Sequence, residues 1–231
     1  MWIAAFFGMA TKYAEGLLAI KFRTLDDQGN VSGGPMYYIT HGFSGKWQII
    51  AKPLAYFFAF AGVLVAWLGI GTFSQVNSIT SSLQNSFGWS PKIVSVILAL
   101  ITAAIIFGGI QSISKVSEKV VPFMAGLYII AALIVIFANF NQLLPVLEMV
   151  FQSAFTGKAA VGGFAGATVM AAMRLGIARG VFSNESGLGS APIAAAAAKT
   201  EEPVEQGLIS MTGTFIDTII ICTLTGLAIL V

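Results

Sequence analysis

A chain of 231 residues with 57% hydrophobic side chains, 10% charged ones and a mean hydropathy of +0.86 is too apolar for a water-soluble domain. Its formal net charge of +2 is small and scattered, which argues against a nucleic-acid partner. The lone Cys222 lies in an apolar run and excludes a disulfide framework or a cysteine-rich metal site.

Long intervals without charge set the predicted elements. A helix needs about 20 apolar residues to cross about 30 Å of hydrocarbon, where every backbone group must be satisfied without water. The sequence predicts an all-α polytopic membrane protein, one transmembrane domain over 1–231 with about six spans. The helices fall near 2–22, 53–80, 91–110, 120–140, 159–181 and 206–231. Pro53, Pro91 and Pro122 sit in first turns, where a missing N–H costs nothing. The segment 145–158 is too short to cross and is expected along the surface. The first apolar segment has no basic region before it, so it does not read as a cleavable signal peptide.

Alternate loops then fall on two sides. One collects Lys21, Arg23, Lys46, Lys52, Lys115, Lys119, Arg174, Arg179 and Lys199; the other has only Lys92 and Lys158. The positive-inside rule makes the first side cytoplasmic, with loops 23–52, 111–119 and 182–205. The first helix then runs inward and the last outward. Both ends fall outside, in apolar spans, so the sequence reads as an internal fragment.

The first and last spans can be laid over each other. Gly8-Met9-Ala10-Thr11-Lys12-Tyr13-Ala14-Glu15 matches Ser210-Met211-Thr212-Gly213-Thr214-Phe215-Ile216-Asp217 in its methionine, aromatic and acid. Opposed directions of such a pair are what inverted-topology repeats produce; chance similarity of short apolar segments is the alternative. The span 159–181 opens with Gly162, Gly163, Gly166 and Thr168. These suit either tight helix packing or a break at membrane depth whose free backbone groups bind a substrate carboxylate or a cation.

Three further segments are specific: Gly33-Gly34-Pro35-Met36-Tyr37-Tyr38-Ile39, then Gly108-Gly109-Ile110 leading to Lys115–Met124, then Gly176–Pro192 with its core Arg179-Gly180-Val181-Phe182-Ser183-Asn184-Glu185-Ser186-Gly187-Leu188-Gly189. Together they resemble the alanine or glycine:cation symporter family, end to end. That resemblance implies a leucine-transporter-like fold of five helices repeated in inverted orientation, of which this chain would hold the second to seventh. It also implies Na⁺- or H⁺-coupled uptake of alanine or glycine across a prokaryotic plasma (inner) membrane. The cation would be a co-substrate, with no cofactor. The family usually has a histidine in the alanine run after Pro192, and this chain has none there.

On that basis the substrate pocket is expected along the glycine-rich helix, at Gly163, Phe164 and Thr168, an aromatic wall with a hydroxyl one turn away. Gln75, in a polar cluster of a charge-free span, joins it as a lining residue or else bonds a neighbouring helix. Lys12 and Glu15 sit at mid-membrane one turn apart, and Asp217 lacks a local partner. A structural tie, Lys12 with Asp217 among the options, is favoured over an ion pathway. Arg179 and Glu185 are candidates for an inner gate, and no metal ligands are evident. An intramembrane enzyme lacks its paired carboxylates or nucleophile–base set. A channel, another carrier of the superfamily, or a nonfunctional truncation product remain the other readings.

Overall fold

The computed structural model describes residues 1–25, 27, 31–68, 71–155 and 167–231. The chain is an all-α polytopic membrane protein. Among the described residues, four stretches are long and apolar enough to cross a membrane: Trp2–Lys21, the run Gly45–Phe87, Gly109–Ala138 and Pro203–Leu230. Pro91–Ile106, with 16 residues, is apolar but short of the usual span. Large side chains on these helices, Phe57, Phe60, Leu100, Ile130 and Phe137 among them, are exposed. In water such a surface would aggregate; in lipid it meets its own kind.

Two compact units divide the chain, Met1–Lys21 with Pro122–Val231, and Phe22–Val121, where the sequence suggests one domain. In the second unit a short antiparallel ladder pairs Thr24 with Ser32 and Leu25 with Val31. Helix α2 (Pro35–Gly42) follows, its start marked by buried Gly33, Gly34 and Pro35. It packs on α3 (Gln48–Leu68), which starts ahead of Pro53 and runs through it. Helices α4 (Gly71–Phe87) and α5 (Pro91–Ile106) pack against each other. Residues 111–119, expected as a loop, lie within α6 (Gly109–Ala138), which carries Lys115, Glu118 and Lys119 on its first turns. Charge there marks where water begins rather than where the helix stops.

The first unit is organised by α1 (Trp2–Lys21) lying against α10 (Pro203–Thr214). A Cβ added at Gly16 would stand 2.8 Å from the Gln206 carbonyl oxygen, and one at Gly207 2.9 Å from the Tyr13 ring. The two glycines let the helices approach backbone to backbone. At the far end of α1, Trp2 Nε1 donates to Thr223 Oγ1 at 2.8 Å. Residue numbers rise along one helix as they fall along its partner, so the pair is antiparallel. This is the relation that the match between 8–15 and 210–217 calls for.

After α10 the chain widens into a π turn, Phe215–Ile221, before α11 (Cys222–Leu230) resumes α geometry. A second route reaches α1 from α7 (Phe140–Phe155) and α8 (Ala167–Asn184). Phe151 meets Trp2 edge to face at 6.4 Å, and α8 packs on α1 and the π turn. The short helix α9 (Ala191–Ala195) also packs on α1. Tyr128 and Thr225 share a hydrogen bond between α6 and α11.

Candidate functional site

Around the middle of α1 the apolar packing gives way to charge. Lys12 is ten residues from the start of α1, about 15 Å along its axis at 1.5 Å per residue, near the centre of a span. It is 9% exposed and Glu15 is 8% exposed. Ionisable groups at that depth turn to protein or trapped water because hydrocarbon cannot solvate them. Here Lys12 turns to a cavity of about 240 Å³ lined also by Ser183, Asn184, Glu185, Ser210, Gly213, Thr214 and Asp217.

Each wall has a local cause. The π turn contributes Asp217 and Thr218, the second fully buried. A π turn breaks the usual α register and recurs at functional positions. Ser183 Oγ donates to Asp217 Oδ2 at 2.6 Å, and Thr218 Oγ1 donates to the same oxygen at 3.1 Å. Asn184 Nδ2 reaches Thr218 Oγ1 at 3.4 Å, while Asn184 Oδ1 accepts the Ser186 N–H at 3.0 Å. The end of α8 and the π turn are thus laced together by side chains of four polar residues.

The chain leaving α8 turns sharply, with positive φ at Glu185 (54°), Gly187 (80°) and Gly189 (75°). Two glycines take this conformation freely; a glutamate does so at a cost that its surroundings must repay. Glu185 Oε2 accepts a 3.0 Å bond from Ser190 Oγ, bridging the turn. The backbone N–H groups of Gly187 and Gly189 face the Glu15 carboxylate, whose buried Oε2 has no hydrogen-bond partner among the described residues. Peptide N–H groups supply positive charge to a buried carboxylate without a second side chain.

Of the residues singled out from sequence, the structure gathers Lys12, Glu15, Glu185 and Asp217 in one unit. Glu15, Glu185 and Asp217 all act on the Lys12 ammonium. Asp217 takes its short hydrogen bonds from Ser183 and Thr218, not from Lys12, so the charges share a cavity rather than one contact ion pair. Arg179 lies exposed on α8. Gln75 belongs to the other unit, is exposed in α4, and accepts a 3.1 Å bond from Ser74 Oγ at its Oε1. Gly163 and Phe164 fall outside the described residues; Thr168 is near the start of α8, with its side chain outside them too.

Sequence reasoning missed Ser183, Thr214 and Thr218. Thr214 carried a usable signal, since it occupies the position of Lys12 in the internal match. The π turn had none: Phe-Ile-Asp-Thr-Ile-Ile-Ile reads as ordinary apolar helix with one acid.

Long helices with exposed apolar side chains, and a buried lysine and glutamate near a small polar cavity, are features of membrane proteins that handle solutes or ions. A family model described as the sodium:alanine symporter family matches residues 1–231, and the chain belongs to that family, one of transporters rather than enzymes. The chain is 50% identical over 231 residues to the sodium/alanine symporter AgcS of Methanococcus maripaludis, covering 99% of this chain and 49% of that protein. It is 52% identical over 229 residues to an uncharacterized transporter of Haemophilus influenzae, covering 99% and 49%. With the amino-acid carrier protein AlsT of Bacillus subtilis it shares 38% identity over 230 residues, 100% and 47% of the two chains. The chain spans about half the length of the curated relatives it matches.

Proposed function

We propose that the protein containing this chain imports a small amino acid, alanine or glycine, together with Na⁺ or H⁺ by alternating access. Its place is the plasma (inner) membrane of a prokaryote. Family membership over residues 1–231 is the observation that carries this reading. The antiparallel packing of α1 on α10 supports it, because opposed related helices are how many secondary carriers are built.

In this proposal Gly163, Phe164 and Thr168 line the amino-acid pocket, with Gln75 as a further lining residue. A small apolar wall excludes large side chains sterically, yet separates alanine from glycine by only about 1–3 kcal/mol, the worth of one methyl-sized group. Arg179 and Glu185 serve the inner gate, where the glycine-bearing turn after α8 can absorb large backbone changes.

The test is uptake of labelled alanine by proteoliposomes holding the intact protein. An inward Na⁺ gradient, or failing that a proton gradient, should drive accumulation, and preloaded alanine should accelerate entry. Entry that ignores both gradients and shows no counterflow would mark a pore and end the proposal. Phe164→Ala should raise the half-saturating alanine concentration about tenfold, the scale of a lost aromatic contact of 1–1.5 kcal/mol.

A further inference from the structure

Three carboxylates, those of Glu15, Glu185 and Asp217, act on a single ammonium, Lys12. Lys12, Glu15 and Asp217 lie on apolar helices, where surplus negative charge is costly unless something positive joins it, while Glu185 is exposed on the turn after α8. The backbone N–H groups of Gly187 and Gly189 offset part of the charge on Glu15. The hydrogen bonds to Asp217 come from the hydroxyls of Ser183 and Thr218, both donating to Oδ2, so neutral groups rather than a cation hold this carboxylate among the described residues.

A second observation lies in the wall of the same cavity. Thr214 lines it, is 2% exposed, and its buried Oγ1 has no hydrogen-bond partner among the described residues. Buried hydroxyls are almost always satisfied, and an exception marks strain, a functional role, or a place for water or an ion. Ser210, one turn earlier on the same helix face, accepts from Gln206 Nε2 at 3.3 Å and keeps a lone pair for another contact.

Resting on the cation coupling proposed above, we propose that this cavity binds one monovalent metal cation, of which Na⁺ is the probe, through the Asp217 carboxylate and the hydroxyl oxygens of Thr214 and Ser210. The donors are all hard oxygens, the set that sodium-like ions prefer to soft metals. Among the described residues no three His, Cys, Asp or Glu converge as a transition-metal site would require. Lys12 in the same cavity disfavours a divalent ion, since a second large positive charge would overfill the surplus. The site lies apart in the sequence from Gly163, Phe164 and Thr168, so ion and amino acid are held by different residues.

The experiment is equilibrium binding of radioactive sodium to the purified intact protein, counted per molecule across Na⁺ concentrations, with potassium as the control ion. Thr214→Val and Asp217→Asn should each remove one ion from the count, or weaken its binding about tenfold or more, as loss of an oxygen on a charged ligand predicts. Thr214→Ser, which keeps the oxygen, should stay within about twofold of the parent. A parent that binds Na⁺ while Thr214→Val and Asp217→Asn keep its full count and affinity would overturn this site and leave the coupling intact. A parent that binds no Na⁺ above the potassium control overturns both. Should Asp217→Asn fail to elute as a single folded species, the near-isosteric Thr214 pair decides alone.

Discussion

Ser186 Oγ donates a 3.0 Å hydrogen bond to the backbone carbonyl of Gly8, joining residues 178 apart in the chain. Gly8 leaves room for that approach: a Cβ there would stand 2.8 Å from the same hydroxyl. The bond pins the turn after α8 to the middle of α1, and with it the peptide N–H groups that face Glu15. Ser186→Ala should cost about 1 kcal/mol of stability, the net worth of one such bond. It should also loosen the turn. Limited proteolysis between Glu185 and Ser190 ought to quicken in the variant; an unchanged cleavage rate would show that the turn is held by other means.

Glu15 tests what those peptide groups contribute. Glu15→Gln keeps the shape and exchanges one acceptor oxygen for an NH₂ that cannot accept. Either the amide turns its oxygen to Gly187 and Gly189 and little is lost, or a donor faces donors at a cost of about 1–3 kcal/mol. Because the buried Oε2 is already unpartnered, the NH₂ can occupy that place, and a loss under about 1 kcal/mol is expected. Glu15→Leu, which abandons both N–H groups, should cost more than Glu15→Gln. Thermal unfolding in detergent measures both, and equal midpoints for the two variants would refute the assignment.

The crossing of α1 and α10 should be intolerant of bulk. Gly16→Val pushes carbon against the Gln206 carbonyl and should destabilise by about 1–3 kcal/mol or more through overpacking. Gly126→Ala in α6 meets nothing within 4 Å, so it should be neutral or gain up to about 1 kcal/mol from helix propensity. Comparing the two midpoints separates close packing from a general dislike of substituting glycine.

The basic residues predict which loops face the cytoplasm. In a Cys222→Ser background, Lys46→Cys should react with a membrane-impermeant maleimide only after cells are opened. Trp89→Cys should react in intact cells. Both residues are exposed. Reversed labelling would invert the topology and every inner-side assignment that follows from it.

Much of this architecture was legible because lipid imposes a simple condition on composition: intervals free of charge must be spans. The same signal misplaced the start of α6, since Lys115, Glu118 and Lys119 ride on a helix that continues past them. The match of residues 8–15 with 210–217 suggested opposed, related helices, and only the option of a Lys12–Asp217 tie hinted that α1 and α10 would meet. The cavity chemistry was only half visible. Lys12, Glu15 and Asp217 stand out as charges among apolar neighbours, whereas Ser183, Thr214 and Thr218 look like any small polar residue in a helix. What makes them matter is a distortion at Phe215–Ile221 that side-chain pattern does not encode, because helix propensity treats α and π turns alike.

That widened stretch also has a mechanical side. A π turn carries a surplus residue relative to α geometry. Were the coil there to tighten by one position, everything beyond Cys222 would swivel by about 100°, one residue's share of a helical turn. Thr223 and Thr225 would then face away from Trp2 and Tyr128, the two aromatic partners that now hold α11 in place. The hydroxyl–aromatic contacts on α11 therefore oppose any such rotation of the segment that follows Asp217.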